Sequence, residues 1–267
     1  MAIEVFSRYE KKYLLTEETY LWLLEHISEN MKLDKFNQDG KLYNIANIYY
    51  DTENDALIRA SIEKPVYKEK LRLRSYGVPE MNDKVFLEIK KKYKGLVNKR
   101  RTTLRLFEAY NLVEQGTDPG SQPYINRQVL EEIKYFLKIY DLKPKVYLTY
   151  DRQAFFSRDN QDFRVTFDTN IRSRRIDVGL EKGNQGELLI DNMFWLMEIK
   201  SSEAIPLWFT KLLSEKALFP TSFSKYGTEY KKTIQKINAG EEKGEIKCSR
   251  QYLKQQIQHQ PQMQALA

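Results

Sequence analysis

Lysine, arginine and glutamate recur at every second position in several stretches of the chain. In YKEKLRLRSYG, Lys68, Lys70, Arg72 and Arg74 alternate with Leu71 and Leu73. KVFLEIKKKY sets Glu88 and Lys90 against Val85, Leu87 and Ile89, and MFWLMEIKSS sets Glu198 and Lys200 against Met193, Trp195, Met197 and Ile199. DFRVTFDTN sets Arg164, Thr166 and Asp168 against Phe163, Val165 and Phe167. Arg8, Glu10 and Lys12 share a face near the start, and Arg152 closes VYLTYDR. Alternate side chains of a strand point to opposite faces, so each stretch has one charged and one apolar face.

A solvated outer face is the ordinary explanation for one such strand. Repetition over many strands, with few carboxylates, argues for something else. Like charges on neighbouring strands destabilise a sheet unless an anion lies among them. A β-tunnel with a cationic lumen satisfies this, because closure removes edges and leaves room for a ligand. Arginine forks match phosphate oxygens and lysine adds compact charge, so a linear polyanion suits the lumen. Glu10, Glu88 and Glu198 then need either a paired base or a bridging metal. Hard oxygen ligands beside phosphate favour Mg²⁺ or Mn²⁺. The chain has no GxxxxGK[ST] loop and no Gly-rich dinucleotide turn. Its two histidines, His26 and His259, fall in an expected helix and the tail, which argues against a His-based metal site or triad. Lys, Arg, Glu and a metal are the toolkit of phosphoryl transfer.

The elements that must position these residues follow from the same patterning. Strands are expected near 3–15, 42–51, 65–77, 84–94, 95–105, 144–157, 162–173 and 189–201, and helices near 17–29, 53–62, 126–141, 205–217 and 226–238. Thr16 and Thr52 are placed to cap the first two helices. Pro144 opens a strand and Pro206 a helix. Loops fall at 34–40, 116–124 and 178–187. A βαβ rhythm is absent, so the fold class is α+β: a closed antiparallel β-barrel with helices packed outside. Residues 1–238 read as one domain, followed by a polar Gln-rich tail over 239–267.

Composition sets the outer bounds. Forty-one per cent of the 267 residues are hydrophobic and 30% charged, as in a soluble globular domain. No apolar run reaches the length of a membrane span, and MAIEVFSRYEKKYLL is too charged for a signal peptide. One cysteine, Cys248, excludes an internal disulfide, and the expected setting is cytoplasmic. Forty-four Lys and Arg against 37 Asp and Glu give a net charge of +7, which suggests an anionic partner. Most Tyr and Phe fall at core-like strand positions, so no nucleic-acid partner is expected.

The segments RYEKKYLL, IANIYYDT, KLRLRSYG, VFLEIKKKYKGLVNKRR, YDRQAFF, FRVTFDTNI, WLMEIKSSEAIPLW and FSKYGTEY, in that order, resemble the VTC domain and its bacterial polyphosphate polymerase relatives. That domain is the catalytic part of the vacuolar transporter chaperone complex, within the triphosphate tunnel metalloenzyme (CYTH-like) superfamily. The likeness spans roughly 4–235. It implies that Lys12, Arg72, Arg74, Lys90, Arg152 and Arg164 grip phosphates, with Lys99 or Arg101 as a further base. Glu198 stands where the family holds its divalent metal, and Lys200 and the Ser224–Lys225 pair stand at phosphate contacts near a mouth. Glu10 matches the last acid of the superfamily's N-terminal ExExK series, while Arg8 replaces another Glu, a departure that fits the polymerase branch. The implied enzyme is a metal-dependent phosphotransferase acting on ATP and inorganic polyphosphate, with a membrane-protein partner as in relatives. A triphosphatase and a non-catalytic polyphosphate-binding subunit are the alternatives.

Overall fold

Period-two patterning becomes strand, and period-3.6 patterning becomes helix, along nearly the whole chain. The computed structural model describes residues 5–37, 40–160 and 162–240, with side chains from Tyr9 onward. In chain order these form β1 (Val5–Thr16), α1 (Glu17–Ile27), β2 (Met31–Leu33), β3 (Tyr43–Asp51), α2 (Ala56–Ile62), β4 (Tyr67–Tyr76), β5 (Lys84–Tyr93) and β6 (Leu96–Arg105). There follow α3 (Leu106–Gln115), α4 (Arg127–Ile139), β7 (Lys143–Ser157), β8 (Arg164–Arg174), β9 (Glu187–Leu188), β10 (Phe194–Ser201), α5 (Leu207–Glu215) and α6 (Lys225–Ala239). The expected tail, with Cys248 and His259, lies outside the described residues from 241 onward.

All strand pairs are antiparallel, in the order β2-β7-β3-β4-β5-β6-β1-β10-β8-β9, and β7 also pairs with β8. The expected closed barrel is met only in part: strands β7-β3-β4-β5-β6-β1-β10-β8 return on themselves through the β7–β8 ladder, while the short β2 and β9 stand outside that ring. The structure is a ten-stranded sheet with β2 and β9 as edge strands, curled until the β7–β8 ladder forms. The long strand β7 makes this possible, since it pairs with β3 and β2 as well as with β8. Register shifts at Tyr49/Tyr50 and at Thr149/Asp151 interrupt its two long ladders, and such irregularities sharpen local twist.

Apolar faces turn outward and are covered. Leu71, Leu73, Leu87 and Ile89 pack beneath α3 and α4, whose Leu112, Val129 and Ile133 are fully or almost fully buried. Val165, Phe167, Met197 and Ile199 pack beneath α1 and α5 through Leu23, Ile27 and Phe209. Each fully buried side chain of this kind contributes about 1.5–3 kcal/mol. Thr16 caps α1 by accepting from the Thr19 amide at 3.3 Å, as its position requires. Thr52 accepts from the Ala56 amide at 2.9 Å, so α2 starts one turn later than 53.

Two elements depart from the expected plan. Helix α3 follows β6 directly, where no helix was expected, and ends at Gly116, whose φ of 71° is the left-handed C-cap conformation. Helix α6 does not stay outside the sheet. Tyr226 and Tyr230 form a third core cluster with Ile45, Tyr49, Val146 and Leu148, and the residues that begin α6 border the interior cavity.

Candidate functional site

The charged faces of the strands enclose a cavity of about 1640 Å³. Nineteen Lys and Arg line it against four Asp and Glu, among the described residues. Glu10 and Lys12 come from β1, Arg72 and Arg74 from β4, Lys90 from β5, Lys99 and Arg101 from β6. Arg152 comes from β7, Arg164 from β8, Glu198 and Lys200 from β10, and Ser224 and Lys225 from the start of α6. Of the sequence-derived site residues, only Glu88 does not line it.

Glu198 is held by cations. Its carboxylate lies 2.8 Å from Lys200 Nζ, 3.3 Å from Lys12, 3.5 Å from Lys225 and 3.8 Å from Arg152. Burial alone would raise this carboxyl, but Lys200, Lys12, Lys225 and Arg152 outweigh it and hold the group well below its usual range. Asp168, fully buried behind Glu198, accepts two hydrogen bonds from Arg152 (2.6 and 2.8 Å) and one from Lys225 (2.5 Å). The same pair reciprocally fixes Arg152, which the β7–β8 register sets directly opposite Asp168.

Glu88 forms a second knot. It is fully buried and takes Arg72 at 2.7 Å, Lys99 at 2.8 Å and Arg74 at 3.8 Å. Its carboxylate is therefore the anchor that spreads three cations under the cavity, and the ion-pair alternative replaces metal ligation for this residue. Arg72 and Arg74 reach further partners: Arg72 donates to the Tyr49 hydroxyl, Arg74 to Asn47 and to the Tyr150 hydroxyl. Glu10 pairs with Lys90 at 2.8 Å; burial pushes its carboxyl up, yet Lys90 and its neighbours bring it down to about 2.

Lys70 is different. Among the described residues it makes no ion pair, and its ammonium lies 5.5 Å from the centre of the Tyr226 ring. Burial first, then Lys68, Lys90 and Lys12, push its pKa down to about 7. An ammonium in this position is a charge still waiting for an anion.

Among the described residues no three acids, histidines or cysteines converge as a protein-only metal site. The donor set instead fits a hard cation that arrives with phosphate, since Mg²⁺ sites commonly take one or two carboxylates and fill the rest with substrate oxygens and water. Glu198 is the lining carboxylate expected from sequence to supply the protein oxygen, and Glu10 is the next.

Sequence reasoning put Lys70 and Asp168 on charged strand faces without giving either a role of its own, and it gave no role to Tyr49 or Tyr150. Asp168 was on the charged face of its strand, but only the cross-strand register reveals that it fixes Arg152. The two tyrosines sit among many others in strand segments and give no separate signal.

A family model described as the VTC domain matches residues 7–234. The chain belongs to the VTC domain family. "Vacuolar transporter chaperone complex subunit 4" of Trypanosoma brucei brucei (strain 927/4 GUTat10.1) is 24% identical over 268 residues, covering 84% of this chain and 34% of that protein. The Trypanosoma cruzi (strain CL Brener) protein of the same name is 27% identical over 161 residues, covering 51% of this chain and 20% of its own. This VTC-family chain thus spans about a third or less of the curated relatives it matches. Among solved structures, a Bacillus halodurans protein described as a candidate adenylate cyclase superposes with a TM-score of 0.51 at 15% identity, covering 83% of this chain and 96% of the other. That likeness establishes a shared fold.

Proposed function

We propose that this VTC-family chain is a polyphosphate polymerase that transfers the γ-phosphate of ATP to the end of a growing inorganic polyphosphate chain and releases ADP. The observation that carries the reading is the excess of cations around a cavity long enough to be bordered by nine strands and a helix start. Arg72, Arg74, Arg152 and Arg164 offer planar forks to the phosphate oxygens, while Lys12, Lys90, Lys99, Lys200 and Lys225 supply point charge. Arg72, Arg74 and Arg152 are preorganised by Glu88 and Asp168, so little reorganisation is needed as charge develops on the transferring group. Ser224 accepts from the Gly227 amide at 3.2 Å as the N-cap of α6, and this helix start borders the cavity. A bound Mg²⁺ or Mn²⁺, held through Glu198 and the substrate's phosphates, would neutralise charge on the transferring phosphoryl group.

One feature favours polymerisation over hydrolysis. Glu10 and Glu198 are both held by lysine, so neither is a free base that would activate water. The end of a polyphosphate chain brings its own anionic oxygen and needs no such base. Alignment of that oxygen with ATP is then the work of the cationic walls. A membrane-protein partner receiving the product is consistent with this reading; among the described residues no helix is long and apolar enough to cross a membrane.

Incubation with ATP and Mn²⁺, followed by phosphorus NMR and gel analysis, tests the proposal. ADP with long-chain polyphosphate is the expected result. ADP with free phosphate alone would move the chain to the triphosphatases, and tight polyphosphate binding without turnover would leave a binding subunit.

A further inference from the structure

The inward residues of the β4–β5 ladder change character along the cavity. Lys68 faces Lys92, Lys70 faces Lys90, Arg72 faces Glu88, Arg74 faces Phe86, and Tyr76 comes next on β4. One end is lysine-rich and the other aromatic. At the aromatic end the Tyr76 ring meets Phe86 edge-on at 5.8 Å, Tyr43 at 6.0 Å, and Phe36 in a near-parallel arrangement at 6.1 Å and 14°. Arginines join the same surface: Arg101 lies over Phe86 at 4.5 Å, and Arg164 lies over Phe156 at 4.7 Å. Arg164 also pairs at 3.3 Å with Asp34, two residues before Phe36.

Packing does not account for these rings. Phe36 is 62% exposed and Tyr76 50% exposed, although both border the cavity. Inorganic phosphate chains have no π-face and gain nothing from such a surface, whereas a nucleobase stacks on it with any sequence of ring substituents. The geometry points to a nucleobase subsite at this mouth, with the base stacked on Phe36 and Tyr76 and the triphosphate directed inward past Arg164 and Arg74. The inference rests on the reading of the cavity as a nucleoside triphosphate site. It adds what distinguishes a nucleotide from inorganic tripolyphosphate, and it gives the cavity a direction: nucleotide at the aromatic mouth, lysines at the opposite end.

Calorimetric titration of the full chain with ATP and, separately, with inorganic tripolyphosphate tests this. In the Phe36→Ala/Tyr76→Ala double variant ATP affinity is expected to fall about 5- to 160-fold, the range of one lost base stack. Tripolyphosphate affinity should stay within about twofold, because no phosphate-binding group is removed. Phe36→Trp, which enlarges the stacking face, should keep or tighten ATP binding. An equal loss for both ligands, or unchanged ATP affinity in the double variant, overturns the subsite. Wild-type protein that binds tripolyphosphate but not ATP overturns the subsite while the cationic cavity stands. Binding of neither ligand overturns the cavity reading as well.

Discussion

At the scale of single residues, the arginines of the cavity are not equivalent tests of function. Arg72 holds the fully buried Glu88, so Arg72→Ala removes a phosphate ligand and also weakens an internal ion pair. Removing one partner of a buried pair costs about 3–5 kcal/mol when nothing replaces it, and here Lys99 and Arg74 replace only part. Among the described residues Arg164 makes a single ion pair, with Asp34, and is the cleaner position. Arg164→Ala should lower turnover by at least about 100-fold, the usual loss for one preorganised charge donor, with the melting temperature nearly unchanged. Steady-state kinetics beside thermal unfolding checks this, and an active Arg164→Ala protein would remove the residue from the site. Lys70 supports a pH prediction. Its pKa is pushed down to about 7 in the unliganded protein, and a bound polyanion must raise it again. Binding therefore takes up a proton between that value and the higher bound value. Tripolyphosphate affinity should hold steady below pH 7 and fall as pH rises from 7 to 9. Lys70→Gln should lessen that fall, leaving the contributions of Lys200 and Lys99, also lowered by burial to about 7 and about 8. Calorimetry in buffers of different ionisation enthalpy counts the protons; identical uptake in Lys70→Gln would exclude Lys70 from the effect.

At the scale of elements, α6 is the piece that converts a curled sheet into a site. Its Tyr226 hydroxyl donates to the buried Asp51 at 3.0 Å, and Arg175 from the segment after β8 clasps Glu229 with two hydrogen bonds of 2.8 and 2.9 Å. These contacts seat the helix so that Lys225 reaches both Asp168 and Glu198. Tyr226→Phe deletes one buried hydrogen bond and should cost about 1 kcal/mol. Asp51 keeps its three backbone donors, Thr52, Leu57 and Ile58, so the fold should survive with a melting point lower by about 2–4 °C. A loss much larger than this would mean that the sheet itself depends on the helix. The role of α6 was only half legible in the sequence. Its position, the FSKYGTEY segment and Ser224–Lys225 were readable, but an amphipathic helix looks the same whether it covers a sheet or enters its end. The strands were far more legible, because alternation is set by pleat geometry and survives any tertiary arrangement. Hence Lys68, Lys70, Arg72 and Arg74 all line the cavity as their spacing required. Long-range register was not legible, so Asp168 opposite Arg152 and Glu88 beneath Arg72 emerge only from the pairing. Helix α3 was readable in principle from LFEAYNLVEQ followed by glycine, but it adjoins β6 without the loop that usually separates two elements.

For the whole molecule, the lining charge sets two salt dependences of opposite sign. Nineteen cations around one cavity repel one another, and four acids offset only part of that. The neutralising pairs are concentrated in two knots, around Glu88 and around Glu198 with Asp168, while Lys68, Lys70, Lys64 and Lys92 crowd together: each of the other three is within electrostatic reach of Lys68 or acts on it directly. Sodium chloride screens such repulsion over a Debye length of about 10 Å at 0.1 M. The unliganded protein should therefore melt at a higher temperature in 0.5 M than in 0.02 M sodium chloride. Tripolyphosphate should stabilise it more strongly, since a ligand at about 100 times its Kd adds about 2.7 kcal/mol, or roughly 5–10 °C for a chain of this size. That ligand-induced gain should shrink as salt rises, because the attraction that binds the polyanion is screened by the same ions that relieve the repulsion. Differential scanning fluorimetry over a grid of salt and tripolyphosphate measures both trends at once. If salt lowers the melting point of the unliganded protein, attraction within the two knots outweighs repulsion in the lining, and the charge excess then exerts no net strain that an anion relieves. If ligand stabilisation is indifferent to salt, the bound anion is not held by the lining charges, and the cavity loses its claim to be a polyanion site.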